Sequence, residues 1–86
     1  MANSYIEVTQ GDFAEKVLNA PRLVIVNFSA EKSSACQILD PEFEAVSKEY
    51  QDQATFAKLN VTGQEELVNQ WHVDGVPTLI FFKGGN

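Results

Sequence analysis

Thiols are almost absent from this chain. Cys36 is its only cysteine. One thiol excludes an internal disulfide framework and a cysteine-rich zinc site. Small secreted domains usually rely on several bridges, so their absence points to the cytoplasm. Basic residues are also scarce: six Lys and Arg stand against twelve Asp and Glu, a formal net charge of -6. That balance argues against nucleic acid or an anionic membrane surface as a partner, since both need clustered cations. The acids are spread from Glu7 to Asp74 and read as a solvated surface. There is one histidine, His72. With no cysteine or second histidine near it in sequence, it makes a poor metal ligand and reads as a surface residue. No apolar run approaches the roughly 20 residues of a membrane span. Met1-Ala2-Asn3-Ser4-Tyr5 lacks the basic start and apolar run of a signal peptide. Gly84-Gly85 has no GxxxxGK[ST] pattern around it and is not a phosphate loop.

Eighty-six residues make one small domain, and we expect residues 1–86 to form it. Residues 5–8 suit a short first strand. Thr9 and Asp12 give an N-cap signal, with Phe13, Val17 and Leu18 as the apolar face of the helix behind it. Ala20-Pro21 ends that helix. Leu23-Val24-Ile25-Val26-Asn27-Phe28 is a near-continuous apolar run, as expected of a central strand covered on both faces. A polar connection leads to a second helix with Leu39, Phe43, Val46 and Tyr50 at helical spacing. Pro41 should kink this helix or start a new segment capped by Asp40. Residues 54–61 read as a third strand. Thr62 and Glu65 form a T-x-x-E capping box, and Leu67, Val68 and Trp71 give the next helix its buried stripe. Gly75-Val76-Pro77 is a turn, Thr78-Leu79-Ile80-Phe81-Phe82 a fourth strand, and Lys83-Gly84-Gly85-Asn86 a hairpin turn. The order βαβαβαβ implies an α/β sandwich.

Four segments in this order and spacing resemble thioredoxin. Val24-Ile25-Val26-Asn27-Phe28-Ser29-Ala30-Glu31 is similar to that family's central strand and the loop behind it. Phe56-Ala57-Lys58-Leu59-Asn60-Val61 matches the next strand. Val73-Asp74-Gly75-Val76-Pro77-Thr78 matches the segment with the family's cis-proline, and Phe81-Phe82-Lys83-Gly84-Gly85 its late hairpin. The resemblance implies a three-layer sandwich with a central mixed sheet. It also implies that the family's last strand and helix lie outside these residues, leaving the fourth strand as an edge.

The resemblance places Lys32-Ser33-Ser34-Ala35-Cys36 on the family's W-C-G-P-C site. Ser33 then stands where the attacking cysteine belongs and Cys36 where the resolving one belongs. In active members a buried aspartate lies under the second cysteine, and its counterpart is Asn27. Disulfide exchange needs a thiolate nucleophile. A serine hydroxyl cannot form a disulfide, and an amide cannot take up a proton as a carboxylate does. The family's dithiol cycle is therefore not expected within one chain. Neither cofactor nor metal is implied.

Each site residue also has a plainer role. Ser33 or Ser34 suits a helix N-cap. A serine introduced to trap a mixed disulfide would leave Lys32, Asn27 and Ala35 unexplained. Cys36 near a helix start has an electrostatic reason to react, but it also suits a small buried apolar position. Asn27 is expected to be buried and hydrogen-bonded, and Lys58 to carry a solvated head group. If Val76–Pro77 is cis, the Val76 backbone is placed to pair with an extended peptide, with Lys32, Ser34 and Ala35 beside it. The leading functional expectation is a redox-degenerate, chaperone-like module that binds protein or peptide segments. Two groups share the missing first cysteine: bacterial chaperone-like proteins with helical repeats downstream, and multidomain monothiol glutaredoxins. Ser33-Ser34-Ala35-Cys36-Gln37 is closer to the first. The alternative is a monothiol oxidoreductase acting through Cys36, with glutathione or a protein thiol as resolving partner. A third reading is a dimer through the last strand.

Overall fold

The computed structural model describes residues 5–30 and 32–83. Four strands form one sheet in the order β1-β3-β2-β4. They are β1 (Ile6–Val8), β2 (Val24–Ser29), β3 (Thr55–Asn60) and β4 (Thr78–Phe82). β3 runs parallel to both β1 and β2, whereas β4 is antiparallel to β2. Helix α1 (Ser34–Glu49) joins β2 to β3, and the short α2 (Glu65–Gln70) joins β3 to β4. The result is a three-layer α/β sandwich around a mixed sheet. The hairpin turn expected at Lys83-Gly84-Gly85-Asn86 extends outside the described residues.

β2 explains the layering. Its β-branched run favours a strand, and five of its six residues are buried. Val24, Val26 and Phe28 face one side, where Phe13, Val17, Leu59, Leu67 and Phe82 complete the larger core. Phe13 is the hub of that core. Its ring lies 5.4 Å from Phe82, 6.1 Å from Trp71 and 6.5 Å from Phe28. On the opposite face α1 sets Phe43 against Phe56, 5.8 Å between ring centres, with Leu23, Ile25 and Leu39 around them.

Several local expectations fail for identifiable reasons. The segment after β1 makes a π-helical turn over Ala14–Leu18, closed by the Asn19 N–H on the Ala14 carbonyl at 2.9 Å. Its cap is reversed: the Asp12 carboxylate accepts the Thr9 N–H at 2.7 Å and pairs with Lys16 at 3.0 Å. Those two partners hold the Asp12 carboxyl below its usual range. The Thr62 capping box does not form. α2 begins after Gln64 with no side-chain cap, and the Thr62 N–H goes instead to the Asn60 amide oxygen. α1 runs unbroken through Pro41, so no second segment starts there. Its inward face is also rotated from the expected one. Cys36, Phe43 and Ser47 are buried, while Val46 and Tyr50 are each 42% exposed.

α2 ends on a Schellman motif. The Val73 N–H reaches the Val68 carbonyl at 2.9 Å, and the His72 N–H reaches Asn69 at 3.4 Å. That closure needs a left-handed residue, and His72 supplies it at φ 55°. A side chain in this region costs about 1–2 kcal/mol. Glycine adopts it freely but loses about 0.5–1 kcal/mol in backbone entropy. His72 is exposed, so few contacts are at stake. His72→Gly should therefore raise stability by about 0.5–1 kcal/mol in urea unfolding. A lower midpoint would show that the imidazole has a structural partner.

Candidate functional site

The carboxyl end of β2 delivers the chain into a short loop and then α1. Ser33 is extended, at φ -81° and ψ 122°, and is the N-cap of α1. Its Oγ accepts the Cys36 N–H at 3.3 Å, and its carbonyl accepts the Gln37 N–H at 3.0 Å. A serine cap of this kind is worth about 1 kcal/mol to a helix. The hydroxyl oxygen at the lost-nucleophile position is therefore engaged with the backbone. Lys32, Ser34 and Ala35 are exposed around it.

Cys36 is the third residue of α1 and is 1% exposed. The Ala30 N–H donates to its Sγ at 3.4 Å. The sulfur thus fastens the loop to the helix, between the end of β2 and the first turn of α1. This contact has no signature in the sequence, because backbone-to-sulfur hydrogen bonds leave no residue pattern.

Pro77 sits at the same end of the sheet. β4 starts at Thr78, which pairs with Phe28, so the preceding turn lies beside the exit of β2. The Val76–Pro77 peptide is cis. The Thr78 hydroxyl donates to the Gly75 carbonyl and closes the turn. Val76 and Pro77 are half-buried, and the Val76 backbone makes no hydrogen bond among the described residues.

Beneath this end lies a polar layer. Asn27 is fully buried, on the α1 face of β2, in register with Lys58 of β3 and Leu79 of β4. The hydrogen-bond partners expected for it do not appear: both amide atoms are buried and unpaired among the described residues. Nor does Lys58 carry a solvated head group. Its Nζ donates to Asp40 Oδ2 at 2.9 Å, and the side chain is only about a quarter exposed. Burial works against the Lys58 charge, but the hydrogen bond and charge of Asp40 outweigh it and hold the ammonium above its usual value. Asp40 is thus an ion-pair partner and not a helix cap. The signal was present in the sequence, since a lysine inside an otherwise apolar strand needs a counter-charge.

Together these features are those of a thioredoxin-type site with its dithiol removed. A family model described as Thioredoxin matches residues 4–86. Thioredoxin from Chlorobaculum thiosulfatiphilum is 32% identical over 84 residues, which cover 98% of this chain and 78% of that protein. Thioredoxin from Pseudomonas aeruginosa is 33% identical over 86 residues, covering 100% and 80%. The crystal structure of Malassezia sympodialis thioredoxin (Mala s 13), a member of a pan-allergen family, superposes with a TM-score of 0.88 at 25% identity. That match covers 99% of this chain and 75% of the other. The chain belongs to the thioredoxin family. Its single cysteine leaves it no disulfide-forming pair and hence no dithiol active site. No helix among the described residues is long and apolar enough to cross a membrane.

An unpaired buried amide costs about 1–3 kcal/mol, whereas an apolar group of similar shape leaves nothing unsatisfied. Asn27→Val also suits a central strand. We expect it to raise stability by about 1 kcal/mol, read from the urea midpoint. A loss of similar size would mean that the amide is held by a partner.

Proposed function

We propose that this domain binds extended protein or peptide segments without dithiol chemistry, in the manner of a redox-degenerate, chaperone-like module. The observation that carries this reading is the contrast between the two halves of the site. The thiol half is closed: Cys36 is buried and hydrogen-bonded, and the Ser33 oxygen is occupied as a cap. The peptide half is open: the Val76 backbone has a donor and an acceptor to offer. An incoming strand satisfies both and gains affinity through main-chain bonding, while neighbouring side chains set its specificity. Lys32, Ser34 and Ala35 flank the segment from the loop and the start of α1.

The monothiol alternative needs an accessible thiolate that attacks a substrate disulfide and is then released by glutathione or a protein thiol. Burial of Cys36 weighs against it. A lone thiol without structural bridges suits a reducing compartment, and we place the domain in the cytoplasm on that ground.

Insulin reduction by dithiothreitol in the presence of the domain should run no faster than with the Cys36→Ala variant. Binding of a fluorescent extended peptide should be the same for the two proteins within about twofold. Turnover above the variant, or peptide capture that depends on the sulfur, would contradict the binding-module reading.

A further inference from the structure

A surface cavity of about 300 Å³ lies at the carboxyl ends of β1, β3 and β2, on the side of β2 away from β4. The topology puts a crevice there. The chain leaves β2 for α1 on one face of the sheet, whereas it leaves β1 and β3 for the π-helical turn and α2 on the other. Open α/β sheets bind ligands where the chains from adjacent strands part in this way. The volume is at the small end of the range for ligand pockets, roughly 300–1,000 Å³. It suits a single small ring and not a nucleotide. The cavity shares no residue with the turn before Pro77.

Its lining is polar and mixed in kind. Lys58 brings an ammonium, Asp40 the carboxylate that holds it at 2.9 Å, and Glu7 a second, exposed carboxylate. The other oxygen of Asp40, Oδ1, has no partner among the described residues, so this group has acceptor capacity left over. Asn60 and Gln64 supply donors. Each amide oxygen accepts a backbone N–H, from Thr62 at 3.0 Å and from Gln10 at 2.7 Å. Only the oxygen of an amide can accept, so both side chains are oriented. Their NH2 groups meet no protein acceptor among the described residues.

We propose that this cavity binds a small neutral polyhydroxyl molecule, of the size of one sugar ring. The lining selects against charge of either sign. An anion meets two carboxylates for one ammonium, on a chain whose net charge is -6. An organic ammonium offers donors alone and leaves Lys58 and the two NH2 groups unmatched. A hydroxyl both donates and accepts, so neighbouring hydroxyls of one ligand satisfy the Asp40 carboxylate and the amide donors together. Val8 and Ala30 complete the lining with short apolar contacts for the ring carbons.

The test is a two-dimensional NMR titration of the nitrogen-15-labelled chain with glucose, inorganic phosphate and methylammonium at matched ionic strength. Glucose should give saturable shifts at the backbone amides of Thr9 and Ala30 and at the side-chain NH2 signals of Asn60 and Gln64. The Val76 and Thr78 amides should stay in place. Phosphate and methylammonium should bind at least about fivefold more weakly than glucose. Asp40→Leu with Lys58→Met removes both members of the ion pair and leaves no lone charge behind, so the chain should still fold, as read from its urea midpoint. Its glucose affinity should fall by about tenfold or more. Asn60→Ala changes an exposed position and should weaken glucose by about twofold or more, which keeps the test decisive if the double variant does not fold. The proposal is overturned if glucose produces no saturable shift at the cavity, or if the folded variants bind it as the parent does. Tighter binding of phosphate or methylammonium than of glucose would overturn the selection for a neutral ligand.

Discussion

Two-sided burial of β2 is the constraint from which the rest of this structure follows. A strand with apolar side chains on both faces is stable only if each face is covered. Here α1 covers one, and the π-helical turn with α2 covers the other. β3 and β4 hold its two edges. That leaves its carboxyl end as the place where the chain must turn outward, and the site is built there. The Ala30 N–H that holds the Cys36 sulfur is the first backbone donor past β2. The turn before β4 reaches the same end because Thr78 pairs with Phe28. The outer face of β4 is less well covered. Phe81 is 59% exposed, although it pairs with Ile25 on the face that α1 occupies.

The polar groups beneath the site form a consistent set. Position 27 holds a neutral amide, so β2 brings no buried negative charge to the sulfur. The neighbouring lysine is neutralised from the helix side by Asp40, a partly exposed position where a charged pair is less costly than in the core. Ser33 completes the pattern, since its hydroxyl contributes a cap and no redox chemistry. What remains of the family's site is its shape: a capped helix start, a turn with a cis-proline and a groove edge with unpaired backbone.

Much of this was legible in the chain. The order of elements, the covered central strand, the capping role of Ser33 and the small buried thiol all follow from local pattern and helix-cap chemistry. Several of the failures share a form, in which a residue with local capping potential found another partner or none. Asp40 left the helix backbone for Lys58, eighteen residues away. Gln64 entered α2 without a cap while its side chain accepted the Gln10 N–H across the molecule. Asn27 was placed correctly, but a strand pattern says nothing about whether an amide will meet a partner on the helix above.

Whether the sulfur of Cys36 is sealed decides between a closed thiol and a reacting one. Iodoacetamide labelling of the folded protein, followed by mass spectrometry across neutral and mildly alkaline pH, measures this. A sealed thiol should react only at the rate at which the protein opens, far more slowly than in urea, and with little response to reagent concentration once opening limits the rate. Rapid labelling of the native protein in proportion to reagent would contradict a closed site and restore Cys36 as a reacting group.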